Sequence, residues 1–160
     1  MNQILAIILV LMMFFGFSIL PDTVDFDFSE EEYVPMNIAG NDEVSISKEK
    51  EIHRVFEGRI SGNAQVNIET TRGNIYLYFK DKIVGTATVN VRSDFGNIYV
   101  KFADDIEGDA KVNIESPYGL VVFVNDQYTI EGYRNKNNLT VKSRLGIRYD
   151  KHYKHEVFYR

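Results

Sequence analysis

The chain has 160 residues, a formal net charge of −5 at neutral pH and no cysteine, which excludes disulfide bonds and thiolate metal sites. Hydrophobic residues make up 44% of the sequence and charged residues 26%, a balance that excludes a disordered chain. The length suits one domain with short appendages. Many valine, isoleucine, tyrosine, phenylalanine and asparagine residues indicate β-structure rather than helix.

The first predicted element is an apolar N-terminal segment. Ile4 to Leu20 is a run of 17 residues without a charge, and a membrane-spanning helix needs roughly 17–25 apolar residues. No Lys or Arg precedes the run and no small-x-small tripeptide follows it, which favours an uncleaved anchor over a removed signal peptide, although both stay open. We predict that residues 1–20 are the anchor, that residues 4–20 contact the membrane, and that the remainder is extracytoplasmic, or secreted if the segment is cleaved.

Opposite charges collect at the two ends of the remaining sequence. Residues 21–39 are predicted to be an acidic linker or N-terminal cap, with six carboxylates and no basic residue between Pro21 and Glu32. Residues 150–160 are predicted to be a basic C-terminal tail that continues a Lys- and Arg-rich stretch beginning at Arg134. Two solvated ends are the simpler interpretation, and head-to-tail stacking of copies is the alternative.

Residues 40–149 repeat with a period of about 23 residues, which is typical of stacked repeat folds. Three similar units begin at Gly62, Gly85 and Gly108, and looser copies begin at Gly40 and Gly132. We predict an all-β fold, a parallel β-solenoid of about five coils; an antiparallel meander is the alternative. Each unit has a second glycine between its strands, where φ > 0 is expected: Gly73, Gly96 and Gly119.

Alternation with a period of two assigns the side chains of each unit to an inner and an outer face. Val66 and Ile68 are predicted to point inward from the first strand, and Ile75, Leu77 and Phe79 from the second. A short third side contributes one isoleucine per unit, as at Ile60, Ile83, Ile106 and Ile130.

Outward positions one period apart are predicted to form ladders, because neighbouring strands of a parallel solenoid lie about 4.8 Å apart. A polar ladder consists of Asn67, Asn90 and Asn113, and a ladder of alternating charge consists of Glu69, Arg92, Glu115 and Lys142. Unlike charges directly opposite one another stabilise paired strands, and this alternation favours the solenoid over the meander. The outward stripe of Tyr76, Tyr78 and Tyr99 is the predicted partner-binding surface.

The short V-x-I strands, each followed by a turn glycine and a second strand, resemble the head-GIN-type adhesin family of extracytoplasmic β-solenoids. More distantly, the pattern is similar to the bactofilins, which are polymerising β-helical scaffolds. The resemblance spans Gly40 to about Tyr149 and implies no catalytic residues. A missing turn glycine near Glu51 and an insertion at Tyr128–Asn138 depart from the regular repeat.

No catalytic, cofactor-binding or metal-binding residue is predicted. His152, His155 and Glu156 have the spacing of metal ligands but lack a supporting ligand, and the neighbouring lysines favour a solvated tail. We expect a non-enzymatic, membrane-anchored scaffold for structure, adhesion or assembly, whose partners are copies of itself or other surface or membrane proteins, and not nucleic acid. The alternative is a glycan- or polymer-binding module that uses the tyrosine stripe.

Overall fold

The computed structural model of the chain describes residues 36–124 and 137–159. Ten strands form two parallel sheets whose members alternate along the chain. The first sheet contains β1 (Glu43–Lys48), β3 (Gln65–Thr70), β5 (Thr88–Ser93), β7 (Lys111–Ser116) and β9 (Leu139–Ser143). The second sheet contains β2 (Ile52–Phe56), β4 (Ile75–Phe79), β6 (Ile98–Phe102), β8 (Val121–Phe123) and β10 (Ile147–Tyr149), and a 3-10 helix follows at Glu156–Tyr159.

The parallel β-solenoid is confirmed, and it has about four turns. Each turn runs through an isolated bridge residue, a strand of the first sheet and a strand of the second. The bridge residues Ile38, Ile60, Ile83 and Ile106 pair in parallel and form the predicted third side. Strands β9 and β10 add two sides of a fifth coil, and Ile130, predicted for its third side, lies outside the described residues.

The strand register confirms that residues one period apart are neighbours. Glu69 lies opposite Arg92, and Arg92 lies opposite Glu115, on adjacent parallel strands. In the second sheet Tyr76 lies opposite Tyr99. The antiparallel meander is therefore excluded for the paired strands, because it would separate these residues by an intervening strand.

Inward side chains from all three sides form one hydrophobic core that extends along the stack. Val66, Ile75 and Leu77 have no exposed surface, as the alternation predicts. Phe79 stacks inside the solenoid between Phe56 and Phe102, at ring-centroid distances of 4.8 and 5.2 Å. Full burial of such side chains stabilises a fold by about 1.5–3 kcal/mol each, which no coil could achieve without its neighbours.

The predicted role of one set of glycines is wrong. Positive φ angles occur at Gly40, Gly62, Gly85, Gly108 and Gly146, whereas Gly73, Gly96 and Gly119 have none. At Gly96 a Cβ atom would lie 1.9 Å from the carbonyl oxygen of Gly73 in the preceding coil. The second glycine of each unit is required because adjacent coils approach closely there, not because its backbone is left-handed.

A buried hydroxyl secures each of these close turns. Ser93 is fully buried; its Oγ donates to the Gly73 carbonyl at 2.8 Å and accepts from the Gly96 amide at 3.0 Å. Equivalent hydroxyls donate to the preceding coil from Thr70, Ser116 and Ser143. Sequence reasoning missed this ladder, although the repeated S-x-x-G pattern at Ser93–Gly96, Ser116–Gly119 and Ser143–Gly146 signals it.

Neither predicted irregularity interrupts the pairing of strands. Strand β2 pairs with β4 although the first coil lacks its turn glycine, and β9 pairs with β7 beyond the insertion. Most of that insertion, together with the anchor at residues 1–20 and the acidic stretch up to residue 35, lies outside the described residues. Across the described ranges, no helix is long and apolar enough to span a membrane.

Candidate interaction surfaces

The outer face of the first sheet carries the asparagine ladder. Asn90 Nδ2 donates to Asn67 Oδ1 at 2.8 Å, and Asn113 Nδ2 donates to Asn90 Oδ1 at 2.9 Å. The central amide, Asn90, therefore donates to one neighbour and accepts from the other, as stacked amides do in other in-register sheets. The ladder ties three successive coils together.

The charge ladder runs beside it. Arg92 Nη1 lies 2.8 Å from Glu115 Oε2, and Arg92 Nε lies 2.8 Å from Asp94. Glu69 accepts a hydrogen bond from Ser47 at 3.0 Å, and Glu115 lies opposite Lys142 in the register. Desolvation lowers the pKa of Arg92, but hydrogen bonds to Glu115 and Asp94 and the charges of these two carboxylates outweigh it and raise that pKa. These groups are roughly half exposed, so each pair contributes at most about 1 kcal/mol.

The two ladders line a shallow groove of about 400 Å³ on the outer face. Asn67, Asn90 and Asn113 lie along the groove, with Glu69, Arg92 and Glu115 beside them. Asn90 bonds to both neighbouring asparagines and Arg92 pairs with Glu115, so these central side chains are engaged with one another across the strands. This is the arrangement of a structural element more than that of a ligand site.

The outer face of the second sheet carries an aromatic ladder. The Tyr76 and Tyr99 rings stack at 4.9 Å with an interplanar angle of 7°, and His53 stacks on Tyr76 at 4.8 Å. Tyr78 lies on the same face, where the ammonium group of Lys101 sits 4.6 Å from its ring centroid. Two residues of the predicted tyrosine stripe, Tyr76 and Tyr99, thus stack, and the third, Tyr78, contacts a lysine.

The C-terminal segment, residues 150–159, covers much of this stripe. The His155 ring stacks 4.0 Å from Tyr76, and the Tyr153 ring stacks 4.4 Å from Tyr99. Phe158 is 2% exposed and its carbonyl accepts a hydrogen bond from Lys101 at 3.0 Å. The prediction of a solvated tail is wrong for this segment, because its apolar side chains pack on the flat surface that the stacked rings offer.

Burial under this segment shifts the pKa of two tyrosines. Desolvation is the main cause of the raised pKa of Tyr76. Desolvation, followed by hydrogen bonds with Tyr76 and Tyr99, raises the pKa of Tyr153 far above its ordinary value. Both phenols therefore stay neutral well into the alkaline range. Tyr76 is only 6% exposed, whereas Tyr78 and Tyr99 are half-buried, and partner binding through the stripe stays a prediction.

Large apolar side chains are exposed instead at the turn between the two sheets. The residue before the turn glycine of each coil forms what we call the turn ridge: Arg72, Phe95, Tyr118 and Leu145. Phe95, Tyr118 and Leu145 are 62, 54 and 62% exposed. The Phe95 and Tyr118 rings stack at 5.1 Å, and the Arg144 guanidinium lies 5.8 Å from the Tyr118 ring centroid.

Sequence reasoning missed the turn ridge, although its position in the repeat could have revealed it. Apolar residues recur one place before the turn glycine, where a polar residue would be the ordinary choice for an exposed turn. Alternation separates inner from outer faces only within the strands, and the turns carry no such pattern.

Nothing in the described ranges groups three His, Cys, Asp or Glu side chains as metal ligands. His155, a candidate ligand by its spacing, stacks against both Tyr76 and His53, at ring-centroid distances of 4.0 and 4.9 Å. The sequence matches no family model, no curated protein and no solved structure.

Proposed function

We propose that the protein is a non-enzymatic scaffold that serves structure, adhesion or assembly. In this proposal residues 4–20 hold the chain in a membrane, and the solenoid lies outside the cytoplasm, where it binds other surface or membrane proteins or further copies of itself. The uncharged run from Ile4 to Leu20 supports the membrane contact.

The turn ridge is the observation that carries the proposal. Contiguous exposed apolar side chains on a soluble domain mark interaction sites, and aromatic and arginine side chains are enriched in interfaces. The ridge presents Phe95, Tyr118 and Leu145 in one row, with Arg144 beside Tyr118. Backbone hydrogen bonds to neighbouring coils hold the adjoining turns, as from Asp94 N to Thr70 O at 3.0 Å. Ordering the surface for binding therefore costs little conformational entropy.

Glycan binding by the tyrosine stripe is the weaker candidate. His155 and Tyr153 occupy the ring surfaces of Tyr76 and Tyr99 that a sugar would stack on. A glycan would have to displace residues 150–159, whereas the turn ridge is already exposed.

Site-specific photo-crosslinking of the full chain in its own cells tests the proposal. A photoreactive residue at Phe95 or Tyr118 should give covalent adducts of discrete mass, because these side chains would lie in the interface. The matched control is Gln65, which is exposed on the outer face of the first sheet. Adducts of equal yield at all three positions, or none at the ridge, would contradict binding through the ridge.

Membrane attachment needs a separate measurement. Introducing charge with Leu9→Lys and Leu11→Lys should release the protein from the membrane fraction, because lysine at the centre of a spanning helix costs roughly 2.5–3.5 kcal/mol. Protease added to intact cells should digest the solenoid of the unaltered chain. Retention of the charged variant on membranes would argue against the anchor, and protection from protease would argue against the external location.

A further inference from the structure

The last coil leaves part of the hydrophobic core open. Val141 and Ile147 are half-buried, whereas Ile114 and Val121, their partners in the preceding coil, are 1 and 0% exposed. Strands β9 and β10 end the order of strands in their sheets. Among the described residues no further strand pairs with β9, and the half-buried apolar side chains of this coil favour the addition of another strand at this edge.

The first coil differs from the last. Ile38, Ile46 and Ile52 are at most 1% exposed and Val44 is half-buried, so the core is less open there than at the last coil. A whole first coil of another molecule therefore lacks the open apolar face that direct docking onto the last coil would need. An extended strand is the better match for the edge of β9.

The side chains of β9 specify the chemistry of that strand. Leu139 and Val141 continue the core ladders of Val112 and Ile114, so an added parallel strand should place apolar side chains beside them. Lys142 is exposed and ends the charge ladder, so the next position in the ladder should be acidic. Further basic residues surround this end, namely Arg144, Arg148 and Lys151, all of them exposed. An acidic, alternating strand fits these features.

The chain itself contains such a segment. Residues 24–28 read Val-Asp-Phe-Asp-Phe, with apolar and acidic side chains in strict alternation. Aligned with β9, Val24 falls beside Leu139 and Phe26 beside Val141, while Asp27 falls beside Lys142. The sign alternation of the charge ladder then continues through one more position.

We propose that residues 24–28 of one copy add as a parallel strand to the β9 edge of a second copy. This inference rests on the proposed assembly function and names its partner, a second copy of the chain. Because the donated segment precedes the first coil and the acceptor is the last coil, the contact is heterologous and joins copies head to tail. Copies joined in this way form filaments unless the rotation closes a ring.

Disulfide trapping tests the contact, since the natural chain has no cysteine. Directly opposite residues on parallel strands lie about 4.8 Å apart, within the Cα separation of about 4.4–6.8 Å that a disulfide allows. Full-length Asp25→Cys and Thr140→Cys proteins, mixed in detergent and mildly oxidised, should give a mixed disulfide dimer. Asn113→Cys is the matched control, because Asn113 lies one position deeper in the same ladder and already has neighbours on both sides.

Further variants distinguish a contact between copies from a contact within one copy. The double variant Asp25→Cys with Thr140→Cys should form a series of disulfide-linked multimers. A disulfide-closed monomer, or the lack of any mixed dimer, would overturn the proposal. Lys142→Glu should lower the yield of the mixed disulfide by roughly fivefold, because an exposed ion pair is worth at most about 1 kcal/mol. Adding Asp27→Lys should restore the yield, which a purely structural effect of Lys142 would not produce. If disulfide trapping fails, photo-crosslinked adducts at Phe95 and Tyr118 are still expected. The strand-addition proposal and the scaffold proposal can therefore be refuted independently.

Discussion

Gly96→Ala should be among the most destabilising single-methyl additions in the described solenoid. The new Cβ would lie 1.9 Å from the Gly73 carbonyl oxygen and 2.8 Å from Ser93 Oγ. Relieving the first contact requires a displacement of roughly 1 Å between adjacent coils, and overpacking of this kind costs about 1–3 kcal/mol. The displacement would also weaken the buried hydrogen bond from Ser93 to Gly73, worth about 1 kcal/mol. We expect a total loss of about 2–4 kcal/mol.

Urea denaturation of the full-length variant in detergent, followed by circular dichroism, measures this loss as a lower midpoint. Gly40→Ala is the informative control, because Gly40 has a φ of 67° and a methyl group added there would meet no heavy atom within 4 Å. That control therefore reports the left-handed backbone alone, at about 1–2 kcal/mol. If Gly96→Ala proves no more destabilising than Gly40→Ala, the close approach of the coils is not what requires glycine at this turn.

Three further outcomes are expected. Arg92→Glu should destabilise the solenoid by about 1 kcal/mol and less at high salt, because it replaces a half-exposed ion pair with like charges; equal loss at both salt concentrations would contradict this. Burial raises the pKa of Tyr76 and Tyr153 above their values in the unfolded chain, so the free energy of unfolding should fall as pH rises above about 10. A free energy of unfolding that does not change at alkaline pH, or tyrosines whose absorbance titrates at the ordinary pKa, would contradict this. Phe158→Ala should detach residues 150–159 and increase proteolysis there, while the solenoid stays folded.

The repeat allowed most of the fold to be predicted from the sequence. Equivalent residues such as Asn67, Asn90 and Asn113 become neighbours because each turn of a parallel solenoid places a repeat position beside the same position of the next turn. The same argument places Tyr76 opposite Tyr99, and their rings stack. Each of these relations depends only on the period and the alternation, which are visible in the sequence.

The candidate surfaces were harder to predict because exposure is a property of the assembled molecule. Alternation indicated that Tyr76 points outward, yet the ring is buried under His155. The turn ridge at Phe95 and Tyr118 belongs to turns, whose side chains alternation does not sort into inner and outer sets. Alternation therefore predicts which face a residue lies on, but not whether its side chain is exposed.

The period of the sequence is sufficient to establish the coil, the register of its strands and the ladders on its faces, since these follow from local alternation repeated along the chain. The docking of residues 150–159 and the contact at Gly96 have a different origin. Both depend on surfaces that exist only after the coils have stacked: a flat row of aromatic rings in one case, and the backbone of the preceding coil in the other. No local pattern in the chain encodes those distances, because they arise between segments that come together only in the folded protein.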